Sequence, residues 1–198
     1  MLVKVCGMRS LPQIDSLSKN ADFIGFIFYE KSSRYVQTTH DNGHSKKVGV
    51  FVNESIPNIL EKVKSEALDY VQLHGSENAD FCEEIQKTIP VIKAFGIDES
   101  FQFSILKSYS GHVSYFLFDT KTEQHGGSGN QFNWQLLQNY KLETPFFLSG
   151  GINPTSIEEL KKISHPKLIG IDINSGFENS PANKNIEQIK QFIDEIKS

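Results

Sequence analysis

The chain has 198 residues, enough for one domain with a substantial core and too few for two ordinary domains. Hydrophobic residues make up 38% of the chain and charged residues 22%, which is typical of a soluble globular protein. No apolar run approaches the ~18 residues that a membrane span requires. The net charge of -4 argues against nucleic-acid binding, and two cysteines suit reduced thiols in a cytoplasmic protein.

Eight apolar runs of strand length recur at nearly constant spacing, their last residues being 21 to 30 positions apart. In chain order they are residues 2–6, 22–28, 47–52, 69–73, 91–95, 113–118, 145–148 and 168–173. Nearly continuous apolar strands at this spacing are typical of a parallel sheet buried on both faces. Eight such units favour a closed barrel over an open sheet. We therefore predict a single-domain α/β protein, a (β/α)8 TIM barrel spanning residues 1–198.

Most segments between these runs carry apolar residues at helical spacing, which predicts the helices of the barrel. Ser10 and Gln13 have the spacing of a capping box before the first helix. Cys82 lies on the apolar face of a later helix, so we expect it to be buried. Residues 37–46 contain Gly43 and no apolar stripe, which predicts a shortened or missing helix after the second strand.

Two strand ends near the carboxyl terminus open into glycine-rich turns. The candidate residues are Gly150 and Gly151 in the first turn, and Asn174, Ser175 and Gly176 in the second. Backbone N–H groups at a strand-to-helix turn bind phosphate, and Asn153 followed by Pro154 predicts a helix start directly after the first turn. These glycines could alternatively serve only tight turns, but two such turns in series favour a phosphate site.

Cys6 and Asp119 are the candidate acid–base residues, because each stands where a predicted strand ends. A positive field can lower the pKa of a thiol and make it a base, and alternation places Lys4 on the same side of the strand as Cys6, with Arg9 close in sequence. Asp119 follows an apolar run, where a carboxylate is expected to be used or paired. The alternatives are a core cysteine and a loop-capping aspartate.

The histidines give weaker signals than this pair. His40 and His44 have metal-like spacing without a carboxylate cluster, so we expect no metal site. His74 stands at the end of the fourth run, where contact with a substrate and an ordinary role in a turn are both open. The glycine-rich segment at residues 125–129 could close over a ligand.

Taken together, these motifs resemble those of the phosphoribosylanthranilate isomerase family over nearly the whole chain. The matching motifs, in order, are VKVCGM, GFIFYEKSSRYV, VGVFVN, VQLHG, LFDT, GGSG, FNW, LSGGIN and DINSGFE. The resemblance implies a small (β/α)8-barrel enzyme of tryptophan biosynthesis. It implies an Amadori rearrangement of N-(5-phosphoribosyl)anthranilate to 1-(2-carboxyphenylamino)-1-deoxyribulose 5-phosphate, without a cofactor.

The same resemblance implies a role for each candidate residue. Asp119, initially protonated, would open the furanose ring as general acid, and Cys6 would remove the C2 proton as general base. Their pKa values would then be shifted in opposite senses. Arg34 would contact the anthranilate carboxylate. The residues implied in binding the phosphate are Gly150, Gly151, Asn174, Ser175 and Gly176, with Asn174 in place of a more common Ser.

The same residues allow two alternative functions. Another sugar-phosphate isomerase or epimerase should show a metal-binding His and Asp set, or an Asp where this chain has Cys6. A non-catalytic phosphosugar-binding barrel should bind phosphate esters without turnover, against which the presence of both Cys6 and Asp119 argues. The expected partner is a small-molecule phosphosugar, with no nucleic acid and no membrane, and the expected state is a monomer or homodimer in the cytoplasm.

Overall fold

The centre of the computed structural model, which describes residues 1–41, 43–121 and 131–198, is a closed barrel of eight parallel strands. The strands follow chain order around the ring, and the eighth pairs with the first. Their bounds are β1 (Leu2–Val5), β2 (Phe23–Ile27), β3 (Lys46–Phe51), β4 (Tyr70–Leu73), β5 (Val91–Ile97), β6 (Tyr115–Thr120), β7 (Phe146–Leu148) and β8 (Leu168–Ile173). The predicted (β/α)8 barrel is confirmed, since each predicted run overlaps one strand.

Helices and short 3-10 segments cover the outside of the barrel. The α-helices are α1 (Leu11–Leu17), α2 (Ile56–Ser65), α3 (Ala79–Gln86), α4 (Ile157–Leu160) and α5 (Ile186–Lys197). The 3-10 helices are Phe103–Tyr109, Trp134–Asn139, Pro154–Ser156 and Ser175–Phe177. A small antiparallel hairpin, β9 (Glu178–Ser180) and β10 (Asn183–Lys184), precedes α5. Within the described ranges no helix is long and apolar enough to cross a bilayer.

The segment between β2 and β3 contains no helix among its described residues, as the sequence predicted. The backbone of Val36 donates to the carbonyl of Ile27, and Tyr35 forms a single bridge with Ile27. The segment therefore runs back along the end of β2, because it lacks an apolar stripe with which a helix could cover the barrel.

Two local predictions differ from the structure. Ser10 is the N-cap of α1 but makes no side-chain cap, and the Gln13 side chain instead bonds Asn183 and the backbone of Lys184, so the predicted capping box is wrong. The segments after β5 and β6 are 3-10 helices and not α-helices. By contrast, the predicted start at Asn153 is confirmed, since its side chain accepts from the Thr155 N–H.

The interior of the barrel is apolar at the amino-terminal end of the strands and polar at the carboxyl-terminal end. The apolar floor is a separate cluster consisting of Phe23, Val48, Ile92, Ala94, Leu117 and Phe147. Above it, on the same inward-facing positions of their strands, lie the buried polar residues Lys4, Gln72, Ser149 and Asp172. This polar layer leads to the carboxyl ends of the strands, where function resides in barrels of this type.

Candidate active site

Cys6 lies directly after β1, with its thiol held in a buried charged cluster. Its relative exposure is 4%, and the ammonium of Lys4, which points to the same interior, favours the ionised form of the thiol. Lys4 Nζ donates to Asp172 Oδ1 on β8 at 2.9 Å. On β2, a Cβ placed on Gly25 would lie 2.9 Å from Cys6 Sγ and 3.2 Å from Lys4 Nζ. A glycine is therefore needed there for the thiol and the ammonium to occupy this space.

The pKa of Cys6 is raised in the structure, whereas the sequence predicted that a positive field would lower it. Burial raises the pKa, and the favourable charge of Lys4 and of Lys184 only partly offsets this. Arg9 does not contribute as expected, because its guanidinium donates to the carbonyl of Ser33. In the free protein, Cys6 is therefore a thiol at neutral pH.

Asp119 lies within β6, one residue before its end, with 16% of its side chain exposed. Burial raises its pKa to about 6, against the opposing effect of the Thr120 N–H, which donates to Oδ1 at 2.8 Å. On β4, Gln72 Nε2 lies 3.2 Å from His74 Nδ1, and His74 Nε2 lies 3.5 Å from Asp119 Oδ2. With a pKa of about 6, about a tenth of Asp119 carries a proton at pH 7, which is the form that a general acid needs.

The two candidate catalytic groups face each other across the barrel mouth, because β1 and β6 are three strands apart in the ring. The expectation that their pKa values shift in opposite senses is wrong for the free protein. Burial is the largest effect on both groups and raises both pKa values. Asp119 could therefore supply a proton as an acid, whereas Cys6 would have to lose its thiol proton before it could act as a base.

Arg34 forms a two-point ion pair within the protein. Its Nε and Nη2 donate to the two carboxylate oxygens of Glu178, at 2.8 and 2.6 Å. Lys184 donates to the same carboxylate at 2.7 Å, and these hydrogen bonds lower the pKa of Glu178 despite burial. The fork expected for an anthranilate carboxylate is therefore already occupied by Glu178. Two of the five N–H donors of a guanidinium are used in it, which leaves others for a second acceptor.

Both predicted glycine turns lie at the barrel mouth and carry backbone donors. Within the part of the chain that the structure describes, no acceptor receives a hydrogen bond from the N–H groups of Gly150, Gly151, Ser175 or Gly176. Gly150 and Gly151 have φ of +85° and +69°. A Cβ on Gly150 would lie 2.5 Å from the Thr120 backbone nitrogen and 3.0 Å from Asp119 Oδ1. The first turn thus packs against the strand that carries the candidate acid.

Asn174 is held by the protein and does not project freely toward a ligand. Lys184 Nζ donates to its side-chain oxygen at 2.6 Å and to its carbonyl at 3.2 Å. The same side-chain oxygen would lie 2.9 Å from a Cβ on Gly7. The Asn at this position therefore connects the second glycine turn to Lys184, and through it to Glu178 and Arg34.

Two further predictions concern Cys82 and the glycine-rich segment at residues 125–129. Cys82 is fully buried as predicted, and burial raises its pKa to about 12. The predicted closing segment at residues 125–129 lies outside the described residues. Among the residues with described positions, no group of three or more His, Cys, Asp and Glu side chains could hold a metal ion.

Sequence reasoning missed the charged partners Asp172, Glu178 and Lys184. The available signal was a charge inside an apolar strand, as in the run LIGIDI of β8, because a buried charge needs a partner. Which residue pairs with which could not be read, since Lys4 and Asp172 are 168 positions apart and Arg34 and Glu178 are 144.

Comparison with known proteins identifies the family. The model of N-(5'-phosphoribosyl)anthranilate isomerase matches residues 3–195. The chain belongs to this family. A relative from Parabacteroides distasonis, named N-(5'-phosphoribosyl)anthranilate isomerase, is 46% identical, over 99% of this chain and 93% of the relative. The family predicted from the motifs is therefore confirmed.

Solved structures agree with this isomerase family in fold and sequence. One contains monomers generated from the dimeric isomerase of Thermotoga maritima, and its TM-score is 0.79 at 31% identity, covering 100% of this chain and 98% of that one. Another is an isomerase in complex with reduced 1-(o-carboxyphenylamino)-1-deoxyribulose 5-phosphate, with a TM-score of 0.80, 31% identity and the same coverage.

Proposed function

We propose that this protein isomerises N-(5'-phosphoribosyl)anthranilate to 1-(2-carboxyphenylamino)-1-deoxyribulose 5-phosphate in tryptophan biosynthesis, with Asp119 as general acid and Cys6 as general base. The observation that carries the proposal is the pair itself. A mostly buried carboxyl group whose pKa is raised to about 6 stands across the barrel mouth from a buried thiol next to Lys4. An acid and a base on opposite sides of one cavity suit a reaction that moves protons at two neighbouring positions of a sugar.

The proposed steps balance in atoms and electrons. The reactive form carries one proton on the pair, which has moved from the Cys6 thiol to Asp119 and leaves a thiolate. Protonated Asp119 donates to the ring oxygen, the bond from C1 to that oxygen breaks, and the nitrogen lone pair forms a C1=N iminium. The thiolate of Cys6 then takes the C2 proton, and the C2–H electron pair forms C1=C2 while the iminium π pair returns to nitrogen. Finally the proton on Cys6 goes to C1, and the C2 hydroxyl proton returns to Asp119 as the ketone forms.

Binding groups for both ends of the substrate surround this pair. The N–H groups of Gly150, Gly151, Ser175 and Gly176 would hold the phosphate, with Asn174 fixing the second turn. Arg34 would contact the anthranilate carboxylate with the N–H groups that its ion pair with Glu178 does not use. The complex of a relative with a reduced product analogue supports a ligand that carries both a phosphate and a carboxylate.

The rest of the proposal concerns the working form of the protein. We expect residues 1–198 to act as one catalytic domain in the cytoplasm, on a small-molecule phosphosugar and without a cofactor. The working form would be a monomer or a homodimer, and the dimeric Thermotoga maritima isomerase supports considering the second.

One assay tests the activity directly. Phosphoribosylanthranilate is added to purified protein, and the anthranilate-type fluorescence is followed over time. Loss of fluorescence that depends on enzyme concentration, together with the product mass expected for an isomer, would support the proposal. Binding of the reduced product analogue without any turnover would instead favour a non-catalytic phosphosugar-binding barrel.

A further inference from the structure

Lys4 and Asp172 form a buried ion pair next to the proposed base, and the proposed steps assign neither residue a proton. They face each other across the seam that closes the barrel, where Lys4 pairs in register with Asp172. Lys4 is fully buried, Asp172 is 5% exposed, and the two charged groups are 2.9 Å apart. A buried ion pair often costs more in desolvation than it gains, so its presence is weak evidence for a role in stability.

The Lys4 side chain lies on the same side of β1 as the Cys6 thiol. Lys4 and Cys6 are two positions apart and project from the same face of β1 into the barrel. The bare backbone of Gly25 leaves space for both Sγ and Nζ, since a Cβ there would lie 2.9 Å from the first and 3.2 Å from the second. Although burial opposes a charge on Lys4, its attraction to Asp172 and to Cys6 raises its pKa, so the residue remains an ammonium.

The charged side chains around Cys6 include one more cation than carboxylates. Three cations face it from three elements: Lys4 on β1, Lys184 on β10 and Arg34 in the segment after β2. Two carboxylates, Asp172 and Glu178, are ion-paired with these cations. One net positive charge is left, which a thiolate at Cys6 would neutralise. Asp119, on the other side of the mouth, is affected by the charges of Asp172 and Lys4.

We propose that Lys4, oriented by Asp172, is the positioning residue that makes Cys6 a base. Its ammonium would stay against the sulfur throughout the reaction and stabilise the thiolate that accepts the C2 proton. Asp172 keeps this ammonium in place, in the way that a third group orients the base beside a nucleophile. The assignment deepens the proposed function and rests on it.

The test compares Lys4→Met with the double variant Lys4→Met/Asp172→Asn. Thiol alkylation by iodoacetamide is measured from pH 6 to 11, and mass spectrometry reads labelling at Cys6, with buried Cys82 as internal reference. We expect the midpoint for Cys6 to move to higher pH in both variants. We also expect kcat to fall by at least ~10²-fold in both, with a smaller change in KM, because a base step is impaired.

The double variant separates this role from simple charge neutralisation. If Lys4 only compensates a buried Asp172, removing both charges should restore near-normal kcat and Cys6 labelling, and that result would overturn the proposal. If Lys4→Met fails to fold because Asp172 is left unpaired, the double variant carries the test alone. Labelling needs no turnover, so a shifted Cys6 midpoint with an inactive wild type would count against the proposed function only.

Discussion

Asp119, the proposed general acid, lowers the stability of the folded protein when it is ionised. Burial raises its pKa to about 6 from an ordinary value of 3.8, so the folded state disfavours its ionised form. A shift of ~2 units corresponds to about 3 kcal/mol. For a carboxyl group whose folded pKa is raised, the stabilising contribution is fully present below pH 3.8 and is lost as the pH rises through 6.

We therefore predict that Asp119→Asn makes the protein more stable at pH 8 while reducing kcat by ~10²–10⁴-fold. The gain in unfolding free energy at pH 8 should be up to about 3 kcal/mol, because the amide is not ionised. Urea unfolding of both proteins at pH 8 and pH 5 measures it, and the advantage of the variant should shrink at pH 5. The prediction is contradicted if Asp119→Asn is no more stable than the wild type at pH 8 and if the stability difference between the two proteins is the same at pH 5 and pH 8.

Arg34 leads to a second prediction at this scale, because its fork already binds Glu178. Arg34→Lys keeps a positive charge but removes the planar fork, so we expect binding of the reduced product analogue to weaken by about 1–3 kcal/mol. Isothermal titration calorimetry measures the change in Kd. The matched control is Glu178→Gln, which disturbs the ion pair but leaves the guanidinium in place. Equal losses in the two variants would mean that Arg34 acts through Glu178 and does not contact the ligand.

At the scale of elements, the strands were predictable, whereas the ion pairs between buried side chains were not. Eight apolar runs at βα spacing define β1 to β8, because strands buried on both faces are apolar at nearly every position. The 3-10 helices after β5 and β6 were predicted only as helical segments, since their type depends on packing against neighbours. Phe95, for example, contacts both Phe101 and Tyr109 edge-on. Likewise Cys6, Asp119 and Arg34 could be named from motifs, whereas Asp172 and Glu178 required the fold.

The turn after β7 makes a prediction about an element. Gly150 has φ of +85° and packs on Thr120 and Asp119, so a side chain there would disturb the acid as well as any phosphate site. We expect Gly150→Ala to lower stability by roughly 1–3 kcal/mol and to lower kcat, and not to raise KM alone. Chemical denaturation and steady-state kinetics measure the two effects.

Gly111→Ala is the matched control for this substitution. Gly111 has a similar φ of +90°, but a Cβ there meets nothing within 4 Å. The control therefore reports the backbone strain alone, without a clash. If Gly150→Ala loses no more stability and activity than Gly111→Ala, the close packing of the turn on Asp119 has no functional consequence.

At the scale of the whole molecule, the two ends of the barrel interior differ: the amino-terminal end is apolar and the carboxyl-terminal end is charged. The aromatic floor around Phe23 and Phe147 closes the amino-terminal end, with their rings edge to face and 5.4 Å apart. At the other end, an unpaired buried charge would be costly, and the described buried lysines Lys4 and Lys184 are each ion-paired with a carboxylate. Burial of the apolar floor offsets the desolvation cost of this charged layer.

The acid and base together lead to the last prediction, a bell-shaped pH dependence of kcat/KM. The proposed reaction needs one proton on the Asp119–Cys6 pair, so activity should fall below pH ~6, where both groups are protonated. It should fall again at alkaline pH, where both have lost the proton, because burial raises the pKa of Cys6. A phosphate ester also titrates near pH 6, so the residual activity of Asp119→Asn is the control. If Asp119 causes the acid limb, that limb should disappear in the variant, and a limb that persists there unchanged would belong to the substrate.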